Sequence, residues 1–466
     1  MRITIVGAGF SGSALASELA RQAGPGVELC LIGVADSYSR GVAYGEARPE
    51  HLLNVRASEL GATPDQPGAF ADWLNLSDRA RVSYLPRLAY GEYLHAQLQT
   101  AVAGSTAAFN QIRQEAIAVE RASAGFRVHL ADGSDFLSDR VVLAVGALPP
   151  QALAGVGPRL AIHPSYLNWP WQDGAIDAIA PDARLLIVGT GLTMADVATT
   201  LQRRGHRGPI VALSRHGLLP RAHGDYPPPP IALPPVVLQA LHTHAPREVL
   251  RALRTLAPVV DDWRSLVDAL RPHLQDFWRG VPLPQRASFL RHLRSYWEVV
   301  RHRIAPQLAE QLQALRESGQ LQVRAGRLLR ARRGDDAVEA LIRERGGTAL
   351  HSERYDVLIR ATGLDTDVER TTHPLVAHLR ESGLVAADPL GLGLKVSDRF
   401  EVLDNKGGAV RGLYAIGPLL RAQLWEITAV PELRSAVREL AGQLLSATAA
   451  ARAAGAAGTQ RLAVAG

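Results

Sequence analysis

The chain has 466 residues, 47% hydrophobic and 21% charged, with a formal net charge of +6. That length calls for two or three domains, and the composition is globular. The arginines are dispersed without the Lys/Arg block, zinc spacing or aromatic-basic stripe of a nucleic-acid binder. No apolar run nears the ~20 residues of a bilayer span. The single cysteine, Cys30, excludes an internal disulfide and a Cys-x-x-Cys redox pair. No secretory signal is read at the N-terminus, so a cytoplasmic protein is expected.

Arg2–Val6 is expected as a strand, residues 10–23 as a helix and residues 27–32 as a second strand, together a β-α-β unit. Between the first two, GAGFSG places Gly7, Gly9 and Gly12 at G-x-G-x-x-G spacing. Gly7 permits the tight turn, Gly9 lets backbone approach a pyrophosphate, and Gly12 lets the helix lie close to the strand. An acidic residue is expected near the end of the second strand, for a ribose hydroxyl. Gly33 stands there, leaving Asp36 or Ser37 of the following loop as candidates. Short strands follow near 116–119, 126–130 and 140–145. The Pro/Gly/Asp-rich stretch 146–182 reads as a domain crossing.

A second β-α-β unit begins at Ala183, with LLIVGTGLTMADV at 185–197. Gly189 and Gly191 match the glycine pattern, Met194 stands where the third glycine would be, and Thr193 joins the candidate contacts. The next strand ends on Ser214 and Arg215 rather than on an acid. An acid would accept from a 2′-hydroxyl and repel a 2′-phosphate, and an Arg does the reverse, so this site reads as one for NADPH. Four prolines at 227–230 precede a helical block over about 246–319. One helix there, 285–304, carries Phe289, Leu293, Trp297, Val300 and Ile304 as a buried stripe. Strands return at 321–323, 338–342 and 356–359. A strand at 412–416 and a helix from about 431 to 445 close the fold, and the Ala/Gly-rich end is expected to fray.

The expected fold class is α/β, with two Rossmann-like dinucleotide-binding domains. The NADPH domain (151–350, with a helical insert at about 225–320) interrupts an FAD domain built from 1–150 and 351–446, and 447–466 form a flexible tail. Two such sites suggest a resident FAD and a visiting nicotinamide that delivers hydride to it.

Further segments carry a resemblance: GVAYGEARPEHLLNVRA at 41–57, DQPGAFADWL at 65–74, SRHGLLPRAH at 214–223, YWEVVRHRIAP at 296–306, DVLIRATG at 356–363 and LYAIGPLLRAQLWEITAVPELR at 413–434. With these the chain resembles bacterial FAD/NAD(P)-binding oxidoreductases. More distantly it is similar to single-component flavin monooxygenases, including amine N-hydroxylating ones. The resemblance implies that Ala361, Thr362 and Gly363 lie where the two nucleotide domains join. It also implies that Ile416–Gly417 places backbone against the flavin. Many related flavoproteins continue with an Asp that bonds the ribityl chain, where this chain has Pro418.

Reduced flavin needs no protein base to react with oxygen, so the candidates are polar groups near its ring. His51 and Asn54 follow the G-x-A-Y loop, and they either meet the flavin or satisfy loop backbone. Trp425 and Glu426 either cover the ring and hold a cationic substrate or form a helix start. Arg301, His302 and Arg303 either bind a substrate carboxylate or phosphate or form a solvated helix end, with Arg301 and Arg303 the named substrate candidates. His242 and His244 lack a carboxylate or Cys pattern beside them, so no metal site is read.

The leading expectation is an NADPH-dependent FAD monooxygenase. It would use molecular oxygen through a flavin hydroperoxide on a small substrate, an amine being one candidate. A reductase without oxygen insertion and a non-catalytic dinucleotide sensor are the alternatives. The oligomeric state is not legible.

Overall fold

The computed structural model describes residues 1–34, 38–172 and 174–463, with side chains up to Ser446. Asp36 and Ser37, the candidates to replace the missing ribose-binding acid, lie outside the described residues.

The first half holds β1 (Arg2–Val6), β2 (Glu28–Ile32), β3 (Ala108–Ile112), a three-stranded antiparallel meander of β4 (Ala116–Arg121), β5 (Phe126–Leu130) and β6 (Asp135–Ser138), and β7 (Arg140–Leu143). Next come β8 (Tyr166–Leu167), β9 (Leu185–Val188), β10 (Ile210–Ser214), β11 (Leu321–Arg333), β12 (Val338–Glu344), β13 (Leu350–Tyr355) and β14 (Val357–Arg360). The chain then adds β15 (Glu401–Leu403) and β16 (Ala409–Ala415) to the first sheet.

The two main sheets follow one plan. In the first, β1 is flanked in parallel by β2 and β7, with β3 outside β2. In the second, β9 is flanked in parallel by β10 and β14, with β11 outside β10. Strands paired in parallel on both sides and covered on both faces read as continuous apolar runs, which is why RITIV and LLIV look alike. Beyond Arg2 at its start, the polar residue of β1 is Thr4, which is fully buried and bonded to Ser138 Oγ at 2.8 Å.

Three expectations change. Val357–Arg360 pairs with β9 and β8, so the return to the first sheet comes after Arg360 rather than near 350. A short buried strand carries no mark of the sheet it joins. The expected 285–304 helix is two, Leu283–His292 and Arg294–Arg301, broken at Leu293. No residue of either helix is fully buried, because the apolar stripe faces the aromatic cluster and cavity described below. The closing helix is assigned from Val430 through Ala463, continuing past 445 into the Ala-rich stretch expected to be a flexible tail. No described helix is long and apolar enough to cross a membrane.

Candidate functional site

The two glycine turns superimpose in their local contacts. Gly7 N–H donates to Ile32 O at 2.9 Å and Ala144 N–H to Val6 O at 2.7 Å. In the second domain Gly189 N–H donates to Leu213 O at 2.8 Å and Ala361 N–H to Val188 O at 2.7 Å. Gly7 (φ +108°) and Gly189 (φ +118°) have backbones that L side chains avoid. A Cβ at Gly7 would sit 2.2 Å from Ala144 O, and one at Gly189 would sit 2.0 Å from Ala361 O. The Ala144–Gly146 and Ala361–Gly363 segments are therefore equivalent supports, one for each turn.

The middle glycines do the opposite. A Cβ at Gly191 would meet nothing within 4 Å, and one at Gly9 would meet only Gly41 Cα, at 3.6 Å. This is the open backbone that a pyrophosphate needs at a helix N-terminus. Gly12 closes the first turn, its Cβ direction running into Gly7 O at 1.8 Å. In the second domain the corresponding Met194 is fully buried. Gly33 has a physical cause: a Cβ there would lie 2.4 Å from Ala8 Cβ, so no acid fits at the end of β2.

Both turns open onto one cavity of about 1330 Å³, lined by Gly7, Gly9, Gly189, Gly191, Thr193, Thr362 and Gly363 among others. Single-ligand pockets span roughly 300–1,000 Å³, so this space suits two dinucleotides. Gly41 (φ +63°) opens the G-x-A-Y segment and packs on the first turn, where a Cβ would meet Gly9 Cα at 2.8 Å. Gly417 (φ +111°) faces Ser11 Oγ instead of lining the cavity, and Pro418 lines it.

At the tip of β10, Ser214 Oγ lies 2.8 Å from Thr190 Oγ1 and accepts from Gly217 N–H at 3.0 Å, so it fixes the turn. Arg215 lines the cavity, is exposed, and has no carboxylate partner among the described residues. Arg327 and Arg345, also exposed and without a carboxylate partner among the described residues, join it around His216. Burial first, then these three guanidiniums, holds the His216 imidazole below its ordinary range. An anion is what this corner lacks.

His51 lines the cavity, but both of its ring nitrogens are engaged by the protein. Its Nδ1 accepts from Arg48 N–H at 3.1 Å, so Nε2 carries the proton and donates to Thr200 Oγ1 at 2.9 Å. The ring also packs edge-on against Trp171. Burial first, then Arg87 and Arg48, lowers its pKa to about 3. Asn54 also lines the cavity, and its side-chain amide makes no hydrogen bond among the described residues. Its carbonyl accepts from His223 Nε2 at 3.0 Å.

The neutral His51 has a consequence for acid stability. Unfolded histidine takes up a proton below about pH 6.5, whereas the folded ring resists until about pH 3. Between these values the unfolded chain binds the extra proton, so stability is full above the window and falls as pH falls. At pH 5 the loss from this residue is about 2 kcal/mol. Melting curves at pH 7 and pH 5 are expected to show a smaller drop for His51→Gln than for the wild-type chain.

The His51–Thr200 bond belongs to a set that ties the first domain to the Leu192–Arg203 helix and its surroundings. Arg87 Nη2 lies 2.8 Å from Asp196 Oδ2, Arg48 Nη2 lies 2.6 Å from Asp177 Oδ2, and Trp169 Nε1 donates to Glu46 at 3.0 Å. Buried Arg56 donates to the carbonyls of Val82, Gly224 and Asp225, holding the segment before Pro227–Pro230, which walls the cavity. None of these pairings was legible beforehand, since each partner lies far away in sequence.

Trp425 and Glu426 do not line the cavity. Trp425 is buried, its ring centroid 4.4 Å from that of Trp278, with Phe289 edge-on and Arg421 over its face. Glu426 is buried in a turn (φ +71°), ahead of the helix that begins at Val430. Its carboxylate accepts from Trp297 Nε1 at 2.7 Å and faces Arg301 Nε at 3.2 Å. Neighbours from the insert already occupy both groups, away from the cavity where the catalytic roles were expected. Arg301, His302 and Arg303 do line the cavity. They are not a solvated helix end: Arg301 and Arg303 are almost fully buried at their side chains. Sequence reasoning missed Arg294, Glu298 and Arg421 on the same wall, where Glu298 accepts from Arg421 at 2.6 Å.

Residues 4–148 match the family model described as FAD-NAD(P)-binding. No curated protein matches the chain. Among solved structures, the ornithine N-hydroxylase of Kutzneria sp. 744, solved with reduced FAD, NADP+ and L-ornithine, aligns with a TM-score of 0.63 at 13% identity, over 96% of this chain and 99% of that one. The L-lysine 6-monooxygenase of Pseudomonas syringae aligns with a TM-score of 0.63 at 16% identity, over 96% and 99%. The thioredoxin reductase of T. acidophilum aligns with a TM-score of 0.52 at 13% identity, over 96% and 98%. At these identities the likeness shows the fold: two Rossmann-like domains, the second inserted in the first, with an N-terminal sequence of the FAD-NAD(P)-binding kind.

Proposed function

We propose that the chain is an FAD-dependent, NADPH-using oxidoreductase that inserts oxygen into a small substrate, with a nitrogen nucleophile as the reacting group. The observation that carries this reading is that two dinucleotide cradles of one design open onto the same cavity. The backbone of Gly7, Gly9 and Gly12 would hold the FAD pyrophosphate, and Asn54 would offer its free amide to the flavin ring. Gly189, Gly191 and Thr193 would hold the nicotinamide nucleotide, with Arg215, Arg327 and Arg345 on its 2′-phosphate. Bound FAD would accept hydride from NADPH and pass electrons to oxygen. The protein's own work is to fix the two nucleotides, which the Arg87–Asp196 and His51–Thr200 ties support, and to keep water out, which the Pro227–Pro230 wall supports.

The ornithine N-hydroxylase and L-lysine 6-monooxygenase neighbours favour oxygen insertion into an amine. The thioredoxin-reductase neighbour shares the fold, but disulfide reduction needs a cysteine pair, and the only cysteine, Cys30, is buried in β2. The flavin-loaded enzyme in air is expected to consume NADPH well ahead of NADH, with oxygen uptake matching nucleotide oxidation. Arg215→Ala is expected to weaken NADPH about tenfold, the size of a lost charge-assisted contact, and to leave NADH unchanged. Equal use of both nucleotides by the wild-type chain would contradict the assignment.

A further inference from the structure

One wall of the cavity is built from Ser265–Arg271, Arg294–Arg303 and residues 421–433, and it is crowded with charge. Its carboxylates are almost all in use. Glu298 takes Arg421, Arg294 and His302, at 2.6, 3.2 and 3.1 Å. Glu426 takes Trp297 and Arg301, Glu432 takes Arg271 at 2.6 Å, and Asp268 takes Arg303. Among the described residues of this wall, Glu59 alone carries no side-chain hydrogen bond, and it sits among the charges of Arg271, Arg56 and Arg303.

The donors are in surplus. Arg303, 4% exposed at its side chain, pairs through Nη2 only, and its Nε and Nη1 are buried without partners. Among the described residues Arg421 Nε and the Ser265 hydroxyl are likewise buried without a hydrogen-bond partner, and Arg301 Nη2, 3.8 Å from Glu432 Oε1, makes no hydrogen bond either. The one orphaned acceptor among these groups, Glu426 Oε2, faces Arg301 Nε and is accounted for. Buried donors do not persist unmet, so the wall calls for a group that brings acceptors. An ammonium brings only donors. A carboxylate brings two oxygens in the plane and spacing of a guanidinium fork.

We propose that this wall binds the substrate through a carboxylate, with Arg301 and Arg303 as its partners, so that the substrate is an anion or a zwitterion and not a diamine. This rests on the oxidoreductase reading, in which the same cavity holds the reaction.

The test uses the flavin-loaded enzyme and three matched probes at constant ionic strength: hexanoate, 6-aminohexanoate and cadaverine. Tryptophan fluorescence, to which Trp297 and Trp425 contribute, and the melting temperature report binding. Hexanoate and 6-aminohexanoate are expected to bind saturably and cadaverine to leave both signals unchanged. Arg303→Gln is expected to weaken the carboxylates about tenfold. Should that buried substitution prevent folding, Arg301→Gln carries the test with the same expected loss. Cadaverine binding as tightly as hexanoate, neither carboxylate binding, or Arg301→Gln binding them like the wild type would each overturn the proposal. Anaerobic bleaching of the flavin by NADPH is read on the same samples. No bleaching sinks the oxidoreductase reading, whereas bleaching without carboxylate binding sinks only the anion wall.

Discussion

Gly189→Ala is expected to abolish reduction by NADPH while the flavin stays bound. At φ +118° a Cβ would lie 2.0 Å from Ala361 O, well inside contact distance. The φ strain alone costs ~1–3 kcal/mol. The overlap adds to it, because its target is backbone and cannot swing aside. Relief requires the turn to move off β14, which misplaces the N–H groups that face the nucleotide. A loss of roughly 100-fold or more in the rate of flavin bleaching at fixed NADPH follows, since ~2.7 kcal/mol already gives that factor. Flavin content, which we assign to the Gly7 turn in the other domain, is expected to stay near one per chain. Gly191→Ala is the control: its Cβ meets nothing in the protein, so the melting temperature holds while NADPH affinity falls. Equal NADPH affinity in Gly191→Ala would remove the nucleotide from that turn.

Arg87→Ala is expected to have the largest effect on stability. Asp196 is buried at the N-terminal end of the Leu192–Arg203 helix, with Arg87 Nη2 2.8 Å away. Burial already pushes its carboxyl up, against the pull of Arg87. Truncating the arginine leaves that carboxylate uncompensated, a change that costs about 3–5 kcal/mol. It also drops the bond from Arg87 Nε to Leu52 O, which anchors the 50s loop. The double variant Arg87→Ala/Asp196→Ala is expected to recover most, though not all, of the loss in denaturant unfolding. Recovery fails to be complete because the Leu52 contact stays lost. A single variant as stable as wild type would mean the pair does not hold the domains together.

The sequence showed the parts of the fold that are local. A glycine turn between an apolar strand and a helix is written in a dozen consecutive residues, and it appears twice. The place of Arg215 on the cavity wall was legible for the same reason, since the tip of the second strand is a fixed position in that unit. What escaped was set by distant partners. Trp425 looked available because it follows the turn at Gly417, yet Trp278 and Phe289 from the insert cover it. His51 reaches the cavity wall, yet Arg48 N–H donates to its Nδ1 and its Nε2–H donates to Thr200 in the other domain, a pairing with no local signal. Glu298 carried no local signal, because its meaning depends on Arg421. Gly33 is instructive in the other direction: its departure from the acidic pattern was visible, but the reason, the Ala8 Cβ behind it, needed the packed structure.

The most direct test of the central claim, that one cavity brings a nicotinamide to a flavin held by the same chain, is a single turnover without oxygen. Purified, flavin-loaded protein is mixed anaerobically with one equivalent of NADPH, and the flavin absorbance is followed. The account predicts bleaching at a rate independent of protein concentration, slower with NADH, and return of the oxidised spectrum when oxygen is admitted. Flavin that stays oxidised with both nucleotides would contradict it.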